Sequence, residues 1–168
     1  MPIIRPARPE ELDEIFALVR RAVIHMNAAG NPQWGDDYPT RGHYAQDLAR
    51  GELYGAYSPA GALLGAACIN TDQAPEYAAV AWRVPGPAVV IHRMAVDPDQ
   101  QRQGVGRAFF RFAEELARSR GVPALHIDTY GKNDRMQALI LSCGFTPAGE
   151  INLHGRPLKY PCFEKVLG

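Results

Sequence analysis

From residue 9 onward, Leu12, Ile15, Phe16, Val19, Val23 and Met26 recur at helical spacing, which predicts a core-facing first helix over 9–28. Pro9, Glu10 and Glu11 supply a first turn suited to the helix start. A short helix is expected over 40–51, ending at Gly51. Two strands, 53–57 and 63–69, follow it, joined by the Ser58-Pro59-Ala60-Gly61 turn. The segment 71–87 has three prolines and no sustained period, so it reads as an extended connection or an irregular strand pair. Residues 88–96 are nearly continuously apolar, as in a strand buried at the centre of a sheet, and Asp97-Pro98-Asp99 ends the run.

Past the glycines at 104 and 106, Val105, Phe109, Phe112 and Leu116 step by four, three and four up to Gly121, with Arg107, Arg111, Arg118 and Arg120 left for solvent. Residues 124–130 form another buried strand. Asn133 and Asp134 can cap a helix whose Met136, Leu139, Ile140 and Cys143 share a face and which Gly144 closes. Strand-like pieces around 150–153 and 158–166 complete the chain. The order describes one α/β domain, of mixed α+β character, over 1–168: a central, mixed, mostly antiparallel sheet flanked by about four helices.

Composition narrows the classes. Hydrophobic residues make up 46% of the chain and charged residues 21%, so a folded core is expected rather than disorder. Lys plus Arg number 18, as do Asp plus Glu, which leaves no overall positive field for nucleic acid or anionic lipid. Neither a signal-like leader nor a bilayer-length apolar run is visible, and a cytoplasmic, non-membrane protein is the default expectation. Cys68, Cys143 and Cys162 are scattered and odd in number, as suits free, packed thiols. With no HExxH or paired CxxC spacing, no metal is expected.

The chemistry concentrates at Gln101-Arg102-Gln103-Gly104-Val105-Gly106. This turn lies between a buried strand and an amphipathic helix, where unpaired N–H groups at a helix start favour an anion. The window 101–120 holds five arginines against two glutamates, a local charge of +3. Walker A chemistry needs Gly-Lys-Ser/Thr, which is absent. A dinucleotide loop needs a third glycine where Phe109 stands, although Asp128 sits about where a ribose-binding acid would.

HRMAVDPDQQRQGVGRAFF resembles the acyl-CoA-binding motif of the GNAT superfamily of N-acetyltransferases, and NDRMQALILSCGF resembles the asparagine-led helix that follows it. The resemblance implies a GNAT fold with acetyl-CoA as co-substrate. It implies that the backbone of Met94, Ala95 and Val96 holds the pantetheine arm. Arg102, Gln103, Gly104, Val105, Gly106 and Arg107 would surround the pyrophosphate, and Asn133 would point toward the pantetheine.

For such a transfer His92 is the candidate base, on the strand leading to the turn and titrating near neutrality. The tyrosine that many relatives use as acid is replaced here by Ile140, which leaves Tyr130 or a water to protonate the thiolate. The loop 29–39 carries Trp34, Asp37 and Tyr38 as candidate acceptor-binding residues, with Asp36 adding a further carboxylate for a cationic amine. The expected acceptor is a primary amine of a small molecule or peptide. A non-catalytic acyl-CoA-binding module and a dinucleotide-binding protein are the competing functions, and sheet edges could support a homodimer.

Overall fold

The apolar runs become the strands of one seven-stranded sheet in the computed structural model, which describes residues 1–168. In chain order they are β1 (Ile3–Pro6), β2 (Leu53–Tyr57), β3 (Leu63–Asn70), β4 (Val89–Val96), β5 (Ala124–Asp128), β6 (Thr146–Ile151) and β7 (Tyr160–Val166). Across the sheet the order is β1-β2-β3-β4-β5-β7-β6, which puts β4 in the middle. β1–β2, β2–β3, β5–β7 and β6–β7 pair antiparallel, whereas β4 pairs parallel with β5, Val89 opposite Leu125 and Val90 opposite His126. Four helices accompany it: α1 (Leu12–Ala28), α2 (Arg41–Ala49), α3 (Val105–Ser119) and α4 (Asp134–Ser142). The mixed, mostly antiparallel sheet with four helices is the α/β architecture expected.

Of the two readings of 71–87 the connection holds: the segment forms no strand pair and carries a 3-10 turn, Pro75–Ala79. Two local expectations change. β6 starts at Thr146 rather than near 150, because the ladder to β7 accommodates Pro147 and Gly149 through a register shift between them. That strand lies at the sheet edge, where a proline removes no needed ladder bond. On α3 the fully buried positions are Val105, Phe109, Phe110, Ala113 and Ala117, while Phe112 and Leu116 are half-buried. The buried face is therefore wider than the aromatic spacing indicated, with alanines allowing close approach.

The chain divides into two compact units. The first comprises Met1–Ile69 and His92–Phe112, the second Asn70–Ile91 and Ala113–Gly168. The core of the first gathers Leu12, Ile15, Leu18, Val19 and Val23 of α1 with Trp34, Tyr44, Leu53, Ala66 and Ala95. At Gly65 a Cβ would lie 2.7 Å from the Ala95 carbonyl oxygen, so only glycine lets β3 and this part of β4 come so close.

The second unit's core joins Tyr77, Val80, Val90, Tyr130, Ile151, Tyr160 and Cys162. Its connection 71–87 is tied down by Glu164 of β7, whose buried carboxylate accepts the Arg83 and Val84 N–H groups at 2.9 and 3.0 Å. Burial works against that charge, but those two N–H groups and His126 hold the carboxyl below its ordinary pKa. His126 Nε2 lies 3.1 Å from Glu164 and its Nδ1 3.0 Å from Gln73 Oε1, and Trp82 stacks on its ring at 3.7 Å.

Candidate active site

β4 ends where Asp97 takes over the backbone. Its carboxylate accepts the Asp99 N–H and an Arg21 guanidinium bond from α1, both at 3.0 Å, and its own N–H donates to the Leu64 carbonyl. Arginine and turn bonding together fix the exit from the strand. A 3-10 turn, Pro98–Gln100, leads into the glycine turn, and Gln103 Nε2 donates back to Gln100 Oε1 at 2.6 Å. Arg102 and Gly104 both have positive φ, 66° and 74°, and the first helical bond of α3 runs from Ala108 N–H to the Gly104 carbonyl. Nothing lies within 4 Å of where a Gly104 Cβ would stand, so the backbone here faces open space. Arg102, Gln103 and Arg107 are exposed around it, whereas Val105 and Gly106 are buried in the first turn of α3. The arrangement suits an anion: N–H groups at a helix start, no side chain in front of Gly104, and cations at the rim.

Upstream, β4 departs from regular alternation. His92, Arg93 and Met94 are successively half-buried, followed by buried Ala95 and half-buried Val96. Arg93 has φ 50°, a left-handed conformation that costs a non-glycine residue about 1–3 kcal/mol and needs support from its surroundings. That support is extensive. Arg93 Nε and Nη2 donate to the two Asp47 oxygens at 3.0 and 2.7 Å, its Nη1 donates to the Tyr38 hydroxyl at 3.3 Å, and its carbonyl accepts from the Tyr44 hydroxyl at 3.2 Å. Asp47 and Tyr44 are buried on the inward face of α2. Burial opposes the Arg93 charge, yet Asp47 and Tyr38 raise its pKa above the ordinary arginine value.

Tyr38 is thereby linked to β4, and its ring meets His43 edge-on at 4.9 Å. Trp34 is 6% exposed and packs in the core of the first unit, its carbonyl held by Asn27, while Asp37 is exposed. The first unit thus brings His92, Met94–Val96, the glycine turn and Tyr38 onto one continuous framework.

The second unit carries the other candidates. Asn133 caps α4, its side chain accepting the Met136 N–H at 3.1 Å. Tyr130 is buried, its ring against Tyr160, and its hydroxyl accepts the Leu158 N–H at 3.2 Å. Ile140 is fully buried on α4 in apolar packing and has no proton to donate. Asp128, at the end of β5, accepts a short hydrogen bond from the Tyr77 hydroxyl. Desolvation pushes its carboxyl up to about 6, against the pull of Tyr77 and with a smaller push from Glu76.

Sequence reasoning missed the Asp47–Arg93 pair and the state of Asp128. Tyr44, Asp47 and Leu48 stand three and four residues apart, the spacing of one helix face, so a charged residue on that face was a signal that a buried partner exists.

The sequence model of the acetyltransferase (GNAT) family matches residues 19–145, and the chain belongs to that family. Over 67 residues, 40% of its length, the chain is 37% identical to mycothiol acetyltransferase of Beutenbergia cavernae. Over 58 residues, 34% of its length, it is 40% identical to the ribosomal protein bS18-alanine N-acetyltransferase of Escherichia coli K12. These matches span 23% and 39% of the two relatives. In fold it resembles a GNAT-family acetyltransferase from Streptococcus agalactiae at TM-score 0.87 and 24% identity, covering 99% of this chain and 96% of that one. It also resembles a phosphinothricin acetyltransferase from Sinorhizobium meliloti, solved with acetyl-CoA, at TM-score 0.72 and 18% identity, covering 99% and 89%. No helix is long and apolar enough to cross a membrane.

Proposed function

We propose that the chain transfers an acetyl or other short acyl group from acyl-CoA to a primary amine of a small molecule or peptide, by direct attack of the amine on the thioester. The observation that carries this is the turn at the start of α3, with open space before Gly104 and arginines 102 and 107 at its rim. The pyrophosphate fits there, on the backbone of residues 102–107, and the Met94, Ala95 and Val96 backbone holds the pantetheine arm with Asn133 as a further contact. Family membership across 19–145, which runs through both units, supports 1–168 acting as one acyltransferase domain.

In this reading the thioester carbonyl is polarised by a backbone N–H of the Met94–Val96 stretch. His92 takes the amine proton. Tyr130 supplies the proton to the thiolate: its oxygen already accepts from Leu158, which leaves its own hydrogen for donation. Asp37 and Tyr38 contact the acceptor, with Trp34 anchoring their loop in the core.

The test is free thiol released from acetyl-CoA across a panel of amines and amino-terminal peptides. Amine-dependent release supports the transferase. Tight acetyl-CoA binding without release for any amine would leave a non-catalytic acyl-CoA-binding module as the better reading.

A further inference from the structure

We propose that Asp47 is a positioning residue for the thioester: its paired hydrogen bonds to Arg93 hold β4 in the left-handed turn that sets the direction of the Met94 N–H. The inference rests on the reading that acyl-CoA lies along Met94–Val96. Four restraints converge on the one residue between His92 and Met94. The Asp47 carboxylate grips the guanidinium through a fork at 3.0 and 2.7 Å, Tyr38 takes Nη1, and the buried Tyr44 hydroxyl holds the Arg93 carbonyl. A regular strand needs none of these.

An arginine with φ 50° inside a strand relaxes to extended geometry once its side chain is released, because the left-handed region is disfavoured for any residue with a Cβ. Relaxation turns the following peptide and carries the Met94 N–H away from the carbonyl it would polarise. The Asp47–Arg93 pair is nearly dry, with side-chain exposures of 5% and 16%, so the restraint is not dissipated by solvent. Asp47 touches neither the glycine turn nor the substrate in this account. CoA shares the pantetheine arm held by the Met94–Val96 backbone, so its affinity falls too, but less than that of acetyl-CoA, which also loses the contact to its carbonyl.

The experiment uses the full chain and two ligands, CoA and acetyl-CoA labelled with carbon-13 at the carbonyl. It follows affinity by calorimetry and the bound carbonyl resonance by NMR. In the parent protein the resonance should move downfield on binding, as a polarised carbonyl does. Asp47→Asn should lose most of that displacement and about fivefold in acetyl-CoA affinity, the equivalent of one net hydrogen bond, with a smaller loss for CoA. Asp47→Ala combined with Arg93→Gly should restore the displacement, because glycine adopts φ 50° without support.

A folded Asp47→Asn protein that keeps the parent's displacement overturns the proposal. So does a double variant that fails to restore it, a loss of affinity equal for CoA and acetyl-CoA, or a parent complex with no downfield movement. If the parent binds neither ligand, the acyl-CoA reading itself has failed, and that outcome is separate from all the others.

Discussion

Replacing Asp128 with asparagine should stabilise the protein at neutral pH. Desolvation lifts the folded carboxyl from 3.8 to about 6, so the folded state holds its proton where the unfolded chain has released it. The sign follows. Stability from this group is complete below pH 3.8, falls as the pH rises toward about 6, and stays reduced above that. At about 1.4 kcal/mol per pH unit the cost at pH 7.5 is about 3 kcal/mol as an upper limit, because the side chain keeps some access to water. Asparagine keeps an acceptor for the Tyr77 hydroxyl and carries no charge. Asp128→Asn should therefore gain about 1–3 kcal/mol at pH 7.5, seen as a rise of several degrees in Tm for a chain of this size, and almost nothing near pH 4. Thermal unfolding followed by circular dichroism at a series of pH values measures this. A variant no more stable than the parent at pH 7.5, or a difference that does not change with pH, would refute it. Stabilisation accompanied by slower acyl transfer would mark Asp128 as a charge kept for function at the expense of the fold.

Glu164→Ala should cost about 1–3 kcal/mol, since it removes the acceptor of the partly buried Arg83 and Val84 N–H groups and the partner of His126, which burial holds below its ordinary pKa so that no charge is stranded. Hydrogen exchange should quicken at residues 83 and 84 before the rest of the second unit. Gly104→Val puts a branched side chain at φ 74° and into the space proposed for the pyrophosphate. It should weaken acetyl-CoA binding by about tenfold or more, with a stability loss of about 1–3 kcal/mol. His92→Ala should lower the transfer rate and remove its rise with pH near neutrality; an unchanged pH–rate profile would take His92 out of the mechanism.

The elements legible in the sequence were those whose information is local. The α1 stripe, the Asn133 cap and the strand, glycine turn and helix from β4 to α3 each lie within about thirty residues of chain and follow from periodicity and capping. What escaped depends on partners far away. Residues 71–87 have no period of their own, and Glu164, eighty positions on, fixes them. Arg93 looks like an interruption of an apolar strand until Asp47, forty-six positions back, is placed beside it. β6 has a proline and a glycine where alternation should be, and only its place at the sheet edge beside β7 makes it a strand. Asp128 was visible as a strand-end acid, but its raised pKa comes from burial that no local pattern reports.

The central claim is that the turn at Gly104 holds the pyrophosphate of an acyl-CoA. Calorimetric titration of the full chain with acetyl-CoA, CoA and NAD tests it most directly. Acetyl-CoA and CoA should bind at micromolar or tighter affinity and NAD far more weakly, with CoA affinity lowered about tenfold or more in Gly104→Val. Failure of every CoA species to bind, or tighter binding of NAD, would contradict the account.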